Sequence, residues 1–135
     1  MGLLIDANVW IEYERGRFDL PDFLSTRMEE PVAIATIIAS ELLAGVHRGS
    51  VPLKREKRRL TVEAILKRVS VIPFDLPIAR LHAVLLPEIE SQGRKIGSHD
   101  LIIAATALFL DYALVSFDTR GFQSIPGLRM INPAS

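Results

Sequence analysis

The stretch from Ile96 to Leu110, IGSHDLIIAATALFL, restricts the architecture more than any other part of this chain. A Gly-Ser turn feeds a segment that is apolar on nearly every face of a helix. Such a helix is stable only when packed on both sides inside a layered core. Its one carboxylate, Asp100, falls in the first turn, so the core fixes a charge at its own edge. What else reaches that edge decides what chemistry the chain can perform.

Brief apolar runs at Leu3 to Ile5, Val32 to Ala35, Val69 to Pro73 and Ala113 to Val115 suit strands of a parallel sheet covered on both faces. Leu128 to Ile131 adds a fifth. Between them the sequence predicts a short helix from Val9 to Glu14, ended near Gly16, and another from Pro21 through Met28, since proline is tolerated in a first turn. Thr36 is the expected cap of the next helix, where Ile38, Leu42, Leu43 and Val46 recur at helical spacing before Gly49. Pro52 to Arg68 reads as amphipathic, with Leu53, Leu60, Ala64, Ile65 and Val69 along one side. Leu76 to Glu90 is helical in period, and Pro87 should kink it or mark its last turns. Strands alternating with helices imply right-handed crossovers and an α/β fold.

At 135 residues, 1–135 is expected to form one domain with a core that needs no staples. Sixteen basic and sixteen acidic residues cancel, so attraction to nucleic acid must come from a local patch. With no cysteine, disulfide frameworks and thiolate metal sites are excluded, which fits a cytoplasmic protein. The opening MGLLIDANVW is interrupted too soon by Asp6 for a signal peptide. No apolar run reaches the roughly 18 residues that span a bilayer.

In parallel sheets ligands bind beyond the carboxyl ends of the strands, where the following helices begin. Asp6 comes directly after the first strand, Glu41 lies early in the helix after the second, Asp118 follows the fourth, and Asp100 opens a helix. All four should share one edge. Singly, each has a local explanation: a cap for Asp6, the helix dipole for Asp100, a turn for Asp118, an exposed helical position for Glu41. Together they repel, and burial of such a group raises one or more pKa values unless a cation sits among them. Mg²⁺ and Mn²⁺ are bound by such oxygen ligands. The chemistry that follows is phosphodiester hydrolysis, in which the ion polarises the phosphate and activates a bound water.

Four segments carry a resemblance. LLIDANVWIE, IIASELLAGVHRG, HDLIIAATAL and LVSFDTRGF with IPGLRMINP resemble, in order, the motifs of the PIN-domain family, and within it the VapC-type toxins of toxin–antitoxin pairs. The resemblance implies an α/β/α sandwich around a parallel sheet of four to five strands. It also implies Mg²⁺- or Mn²⁺-dependent endoribonuclease activity on an RNA substrate, a homodimer, and inhibition by a cognate VapB-type antitoxin that inserts an Arg or blocks the acidic pocket. It places catalytic metal ligands at Asp6, Glu41, Asp100 and Asp118, with Asn8 and Ser116 orienting them. Many members carry Asp where this chain has Gly121, so Asp118 is the only acid of its turn.

Arg94, Lys95 and Arg120, on loops at the acidic edge, are candidates for substrate phosphate contacts. The run from Lys54 to Arg59 either steers RNA or is a solvated face. His99 adjoins Asp100 as a loop histidine or a substrate contact, whereas His47 and His82 share no ligand spacing. No G-x-S-x-G elbow supports a serine hydrolase. Apolar surface on the helices between Val9 and Val46 would dock an antitoxin helix. Two rivals are a catalytically silent PIN-fold module that binds RNA or protein and an aspartate-based phosphotransferase. The second lacks its motif's further Asp in Asp6-Ala7-Asn8.

Overall fold

The computed structural model describes residues 1–135. Leu3–Ile5 (β1) is buried along its whole length. Val32–Ala35 (β2) and Ala113–Val115 (β4) flank it, with Ser70–Ile72 (β3) outside β2 and Met130–Ile131 (β5) outside β4. Every pairing is parallel, and Leu3 stands opposite both Val32 and Ala113. Unbroken apolar burial along β1 and β4 is what strands covered on both faces require. The expected α/β fold with a parallel sheet is the one observed.

The connections are Ala7–Glu14 (α1), Leu20–Ser25 (α2), Thr36–His47 (α3), Pro52–Arg68 (α4), Leu76–Ser91 (α5) and Ser98–Leu110 (α6). From β1 the chain steps outward to β2 and β3, and α5 and α6 then carry it back to β4, on the other side of β1. Reversing direction with right-handed crossovers sends the helices to opposite faces. It also leaves a topological switch point between β1 and β4, where the crevice of such a sheet opens.

Helix α6 forms the middle of the core. Leu101, Ile103, Ala104, Ala105, Thr106 and Ala107 are buried, and the Thr106 hydroxyl is satisfied by donating to the Ile102 carbonyl at 2.8 Å. The two ends of α6 depart from the expected two-sided packing, since Ser98 and His99 are exposed in the first turn and Phe109 in the last. Asp111 then ends the helix in the left-handed region, at φ 57°.

Four local expectations need correction. Thr36 does not cap α3: Ala35 holds that position, and the Thr36 hydroxyl donates to the Ile72 carbonyl at 2.9 Å, tying α3 to β3. Helix α4 buries Val62 and Ile65, while Leu53 is 85% exposed and Leu60 57% exposed. The helical period was right there and the inward face was displaced, because contact with α3 rather than the longest apolar stripe sets the rotation. Helix α1 begins at Ala7, two residues early, because Asp6 caps it. Helix α2 stops at Ser25, short of Met28. Pro87 lies inside α5, near its C-terminal end.

Where α3 crosses α4, Gly45 leaves room for Arg58. The guanidinium donates to the Gly45 carbonyl at 3.0 Å and to Glu14 Oε2 of α1 at 3.3 Å, joining three helices. A Cβ at Gly45 would stand 2.8 Å from Arg58 Nη2. Gly45→Ala is expected to displace Arg58 and strip the nearly buried Glu14 carboxylate of its partner, costing about 1–3 kcal/mol. A lowered denaturant midpoint with unchanged m-value checks it.

Candidate active site

The backbone brings β1 and β4 together before any side chain is considered: Ile5 stands beside Val115, so the residues that follow them, Asp6 and Ser116, meet. Asp6 caps α1 by accepting from the Ala7 N–H at 2.8 Å through Oδ1. Its other oxygen, Oδ2, accepts from Ser116 Oγ at 2.8 Å. The cap and the site therefore use different oxygens of one carboxylate, so the local and the functional explanations of Asp6 do not compete.

Ser116 is fully buried and acts as a hub. Its hydroxyl donates to Asp6 and accepts from Asn8 Nδ2 at 3.1 Å and from the Asp118 N–H at 3.0 Å. Asn8 completes the clamp by accepting from the Phe117 N–H at 3.2 Å through Oδ1. Asp118 is oriented in turn, its Oδ1 accepting from the Gly121 N–H at 3.2 Å. Two residues at the start of α1, Asp6 and Asn8, thus hold the loop after β4 by side-chain hydrogen bonds. Ser116→Ala is expected to lower apparent divalent-cation affinity about 10- to 100-fold, the usual cost of losing a group that orients a ligand; cation titration of RNA cleavage reads it.

Asp100 enters from the first turn of α6. Its Oδ2 and Asp118 Oδ2 lie 3.6 and 3.2 Å from the point where a Cβ on Gly121 would stand. The two carboxylates therefore border the same small space, which the missing side chain of Gly121 keeps open. Glu41 approaches from α3, and its Oε1 is buried with no hydrogen-bond partner.

The charges confirm the convergence of these groups. Burial is the largest cause raising the Asp6 carboxyl above the ordinary range, offset by the bonds from Ser116 and Ala7 and reinforced by Asp118. Glu41 is pushed up by burial, then by Asp6 and Asp100. Asp100 is pushed up by burial, then by Asp6 and Asp118. His99 acts against this, its charge drawing Glu41 and Asp100 down. All four predicted acids thus converge on the sheet edge at the switch point, Asp118 exposed and the others partly or fully buried, and His99 lies beside them. Adjacency to Asp100 was the only signal for His99 in the sequence.

Arg94 and Lys95 are exposed in the loop leading to α6, and Arg120 is exposed just after Asp118. None of the three forms an ion pair. The Lys54–Arg59 run is exposed as well, apart from half-buried Arg58, and three of its cations are engaged: Arg58 with Glu14, Arg59 with Glu56 and Arg55 with the Gly49 carbonyl. His82 packs edge-on against Phe74, away from the acids.

The converging side chains are carboxylates, with the His99 imidazole beside them, and oxygen donors suit a hard divalent cation. No three acidic or imidazole side chains already form a closed ligand cluster. A cation at this edge would therefore keep water in its shell, as Mg²⁺ characteristically does.

The family model of the PIN domain matches residues 3–128. The chain belongs to the PIN-domain family. Among PIN-domain relatives it is similar to ribonuclease VapC1 of Rickettsia felis, at 31% identity over 138 residues that cover 100% of this chain and 98% of the relative. Ribonuclease VapC of Rickettsia bellii is 29% identical over 131 residues, covering 97% and 96%. Among solved structures, VapBC2 of Rickettsia felis bound to a promoter DNA fragment matches with a TM-score of 0.88 at 25% identity over 98% of both chains. These matches run along the whole chain and place it in the VapC branch of the PIN-domain family.

Proposed function

We propose that this PIN domain is a Mg²⁺- or Mn²⁺-dependent endoribonuclease, the toxin of a toxin–antitoxin pair. The observation that carries the reading is the pocket in which Asp6, Glu41, Asp100 and Asp118 meet with one buried carboxylate oxygen, Glu41 Oε1, left without a partner. A folded protein has little reason to bury mutually repelling acids unless a cation neutralises them. The relatives' names supply the substrate class, RNA.

Asp6, Glu41, Asp100 and Asp118 would hold the cation, directly or through water. The chemistry it would supply there is Lewis acidity toward the scissile phosphate and a water made acidic enough for in-line attack. The chain's own contribution is rigidity. Ser116 and the Ala7 N–H fix both oxygens of Asp6, and the Gly121 N–H fixes one oxygen of Asp118. Asn8 and Ser116 lock the loop that carries Asp118. Arg94, Lys95 and Arg120, with no internal partners, supply cations to the phosphates flanking the cut.

The partner is a VapB-type chain, extended to this protein from relatives solved as VapBC complexes. We assign it to an apolar groove of about 600 Å³ between α1, α2 and α4, whose walls include Trp10, Tyr13, Leu20, Leu24, Leu60 and Ile65. That groove draws on α1 and α2, as the apolar run from Val9 suggested, but on none of α3, whose apolar side chains go into the core. The proposed homodimer would cover the exposed Leu76, Val84 and Leu86 of α5.

Purified free of any partner chain, the protein is expected to cut total RNA at internal positions when Mg²⁺ or Mn²⁺ is present and not in excess chelator. RNA left intact by the cation-loaded, folded protein overturns the nuclease reading in favour of a binding module. Formation of a phosphoaspartate with a phosphodonor would instead support the phosphotransferase.

A further inference from the structure

Beside the acidic pocket runs a row of aromatic rings that the mechanism does not use. Phe117 is the residue between Ser116 and Asp118, and its N–H is held by Asn8. The Phe18 ring, from the connection between α1 and α2, meets Phe117 edge to face with centroids 5.3 Å apart. Phe23 of α2 continues the row at 6.1 Å from Phe18. The Arg27 guanidinium lies 4.7 Å from the centre of the Phe23 ring. All three rings are half-buried against the core, so each keeps part of its surface in water, and Arg27 lies over the Phe23 ring.

A core needs no such row at its rim, where half-exposed aromatic surface is left facing solvent next to a reactive pocket. Single-stranded RNA has the complementary chemistry. Its unpaired bases stack on aromatic side chains and guanidinium planes, and its phosphates take a cation. The contact is continuous with the proposed site through one peptide, since the ring of Phe117 and the carboxylate of Asp118 leave neighbouring backbone positions. Arg27 stands at the far end, where a phosphate of the bound strand would need a partner.

We propose that Phe117, Phe18 and Phe23, with Arg27, form a ledge that stacks the unpaired bases flanking the scissile phosphate and so selects single-stranded RNA. The proposal rests on the ribonuclease reading and adds the part of the substrate that the acidic pocket does not touch. Stacking rather than base-edge hydrogen bonding makes the preference one for unpaired bases, tolerant of their identity.

The test uses the full chain with Asp100→Asn, so that RNA is bound and not cut. Fluorescence anisotropy measures its affinity for a labelled single-stranded RNA and for an abasic strand of the same length. Phe18→Leu and Phe23→Leu keep an apolar side chain against the core and remove the stacking face. Each is expected to weaken binding of the base-containing RNA about tenfold and to leave the abasic strand unaffected. Phe18→Trp restores the face and is expected to restore affinity. Equal RNA affinity in the parent and both leucine variants, with circular dichroism unchanged, overturns the ledge and leaves the nuclease reading standing. Unchanged RNA affinity with weakened capture of the antitoxin assigns the rings to protein docking, and also overturns it. Absence of RNA binding by the parent protein overturns the ribonuclease reading, and the ledge with it.

Discussion

Asp100→Asn is expected to reduce RNA cleavage by more than about a hundredfold, with Asp6→Asn doing the same, and to leave the fold intact. Loss of a residue that merely orients a ligand costs 10- to 100-fold, and these two would themselves hold the cation. Each substitution is isosteric. At position 100 asparagine still fits the first turn of α6, so the change there is one of charge. At position 6 its amide oxygen can still accept from the Ala7 N–H, but its NH2 replaces the oxygen that accepts from Ser116. Because Asp6 raises Asp100 and both raise Glu41, removing either charge relieves repulsion. The cation-free Asp100→Asn variant should melt no lower than the parent, and the pairing of lost activity with undiminished stability is the diagnostic result. Cleavage at the parental rate by either variant, at the same Mg²⁺ concentration, would falsify the assignment.

The sequence was informative where one cause dominates. Three-residue apolar runs read as buried strands because nothing but burial on both faces explains LLI or ALV. The four acids were legible because position relative to a strand end determines the edge on which a residue emerges, whatever its side chain. Features that depend on how elements rotate against one another were not legible. The α4 face turned Leu53 and Leu60 outward because the Arg58–Gly45 contact fixes its rotation, and a glycine that admits a guanidinium looks like any helix-ending glycine. Thr36 looked like a cap, and only the arrival of β3 beside it gives its hydroxyl the Ile72 carbonyl instead. Phe18 and Phe117 share no spacing that would pair them. Their contact exists because the connection between α1 and α2 folds against the loop after β4, and the sequence holds no local signal of that approach. His99 falls between these cases, since adjacency to Asp100 placed it near the edge and left open whether its ring met the acids or only solvent.

Stabilisation by Mg²⁺ should grow as pH rises from about 4.5 to 8, and this follows from the direction of three shifts. Without a cation, Asp6, Glu41 and Asp100 are all held above their ordinary values of 3.8, 4.5 and 3.8. A carboxyl whose folded pKa is raised binds its proton more tightly in the native state than in the unfolded one. Its contribution to stability is fully present below the unfolded value and is lost as pH rises through the folded value. The cation-free protein therefore carries the full penalty of the crowded acids near neutral pH and sheds it on acidification. A divalent cation competes with those protons and binds only the deprotonated pocket, so its effect is greatest where the penalty is greatest. At a hundred times its dissociation constant a ligand of the native state adds about 2.7 kcal/mol, several degrees of melting temperature for a chain of this size. Melting curves with and without Mg²⁺ across this range should diverge with rising pH in the parent and lie much closer together in Asp100→Asn. Curves that stay parallel in the parent, or that diverge equally in both proteins, would mean that the cation binds elsewhere and that the carboxylates at the switch point are crowded for another reason.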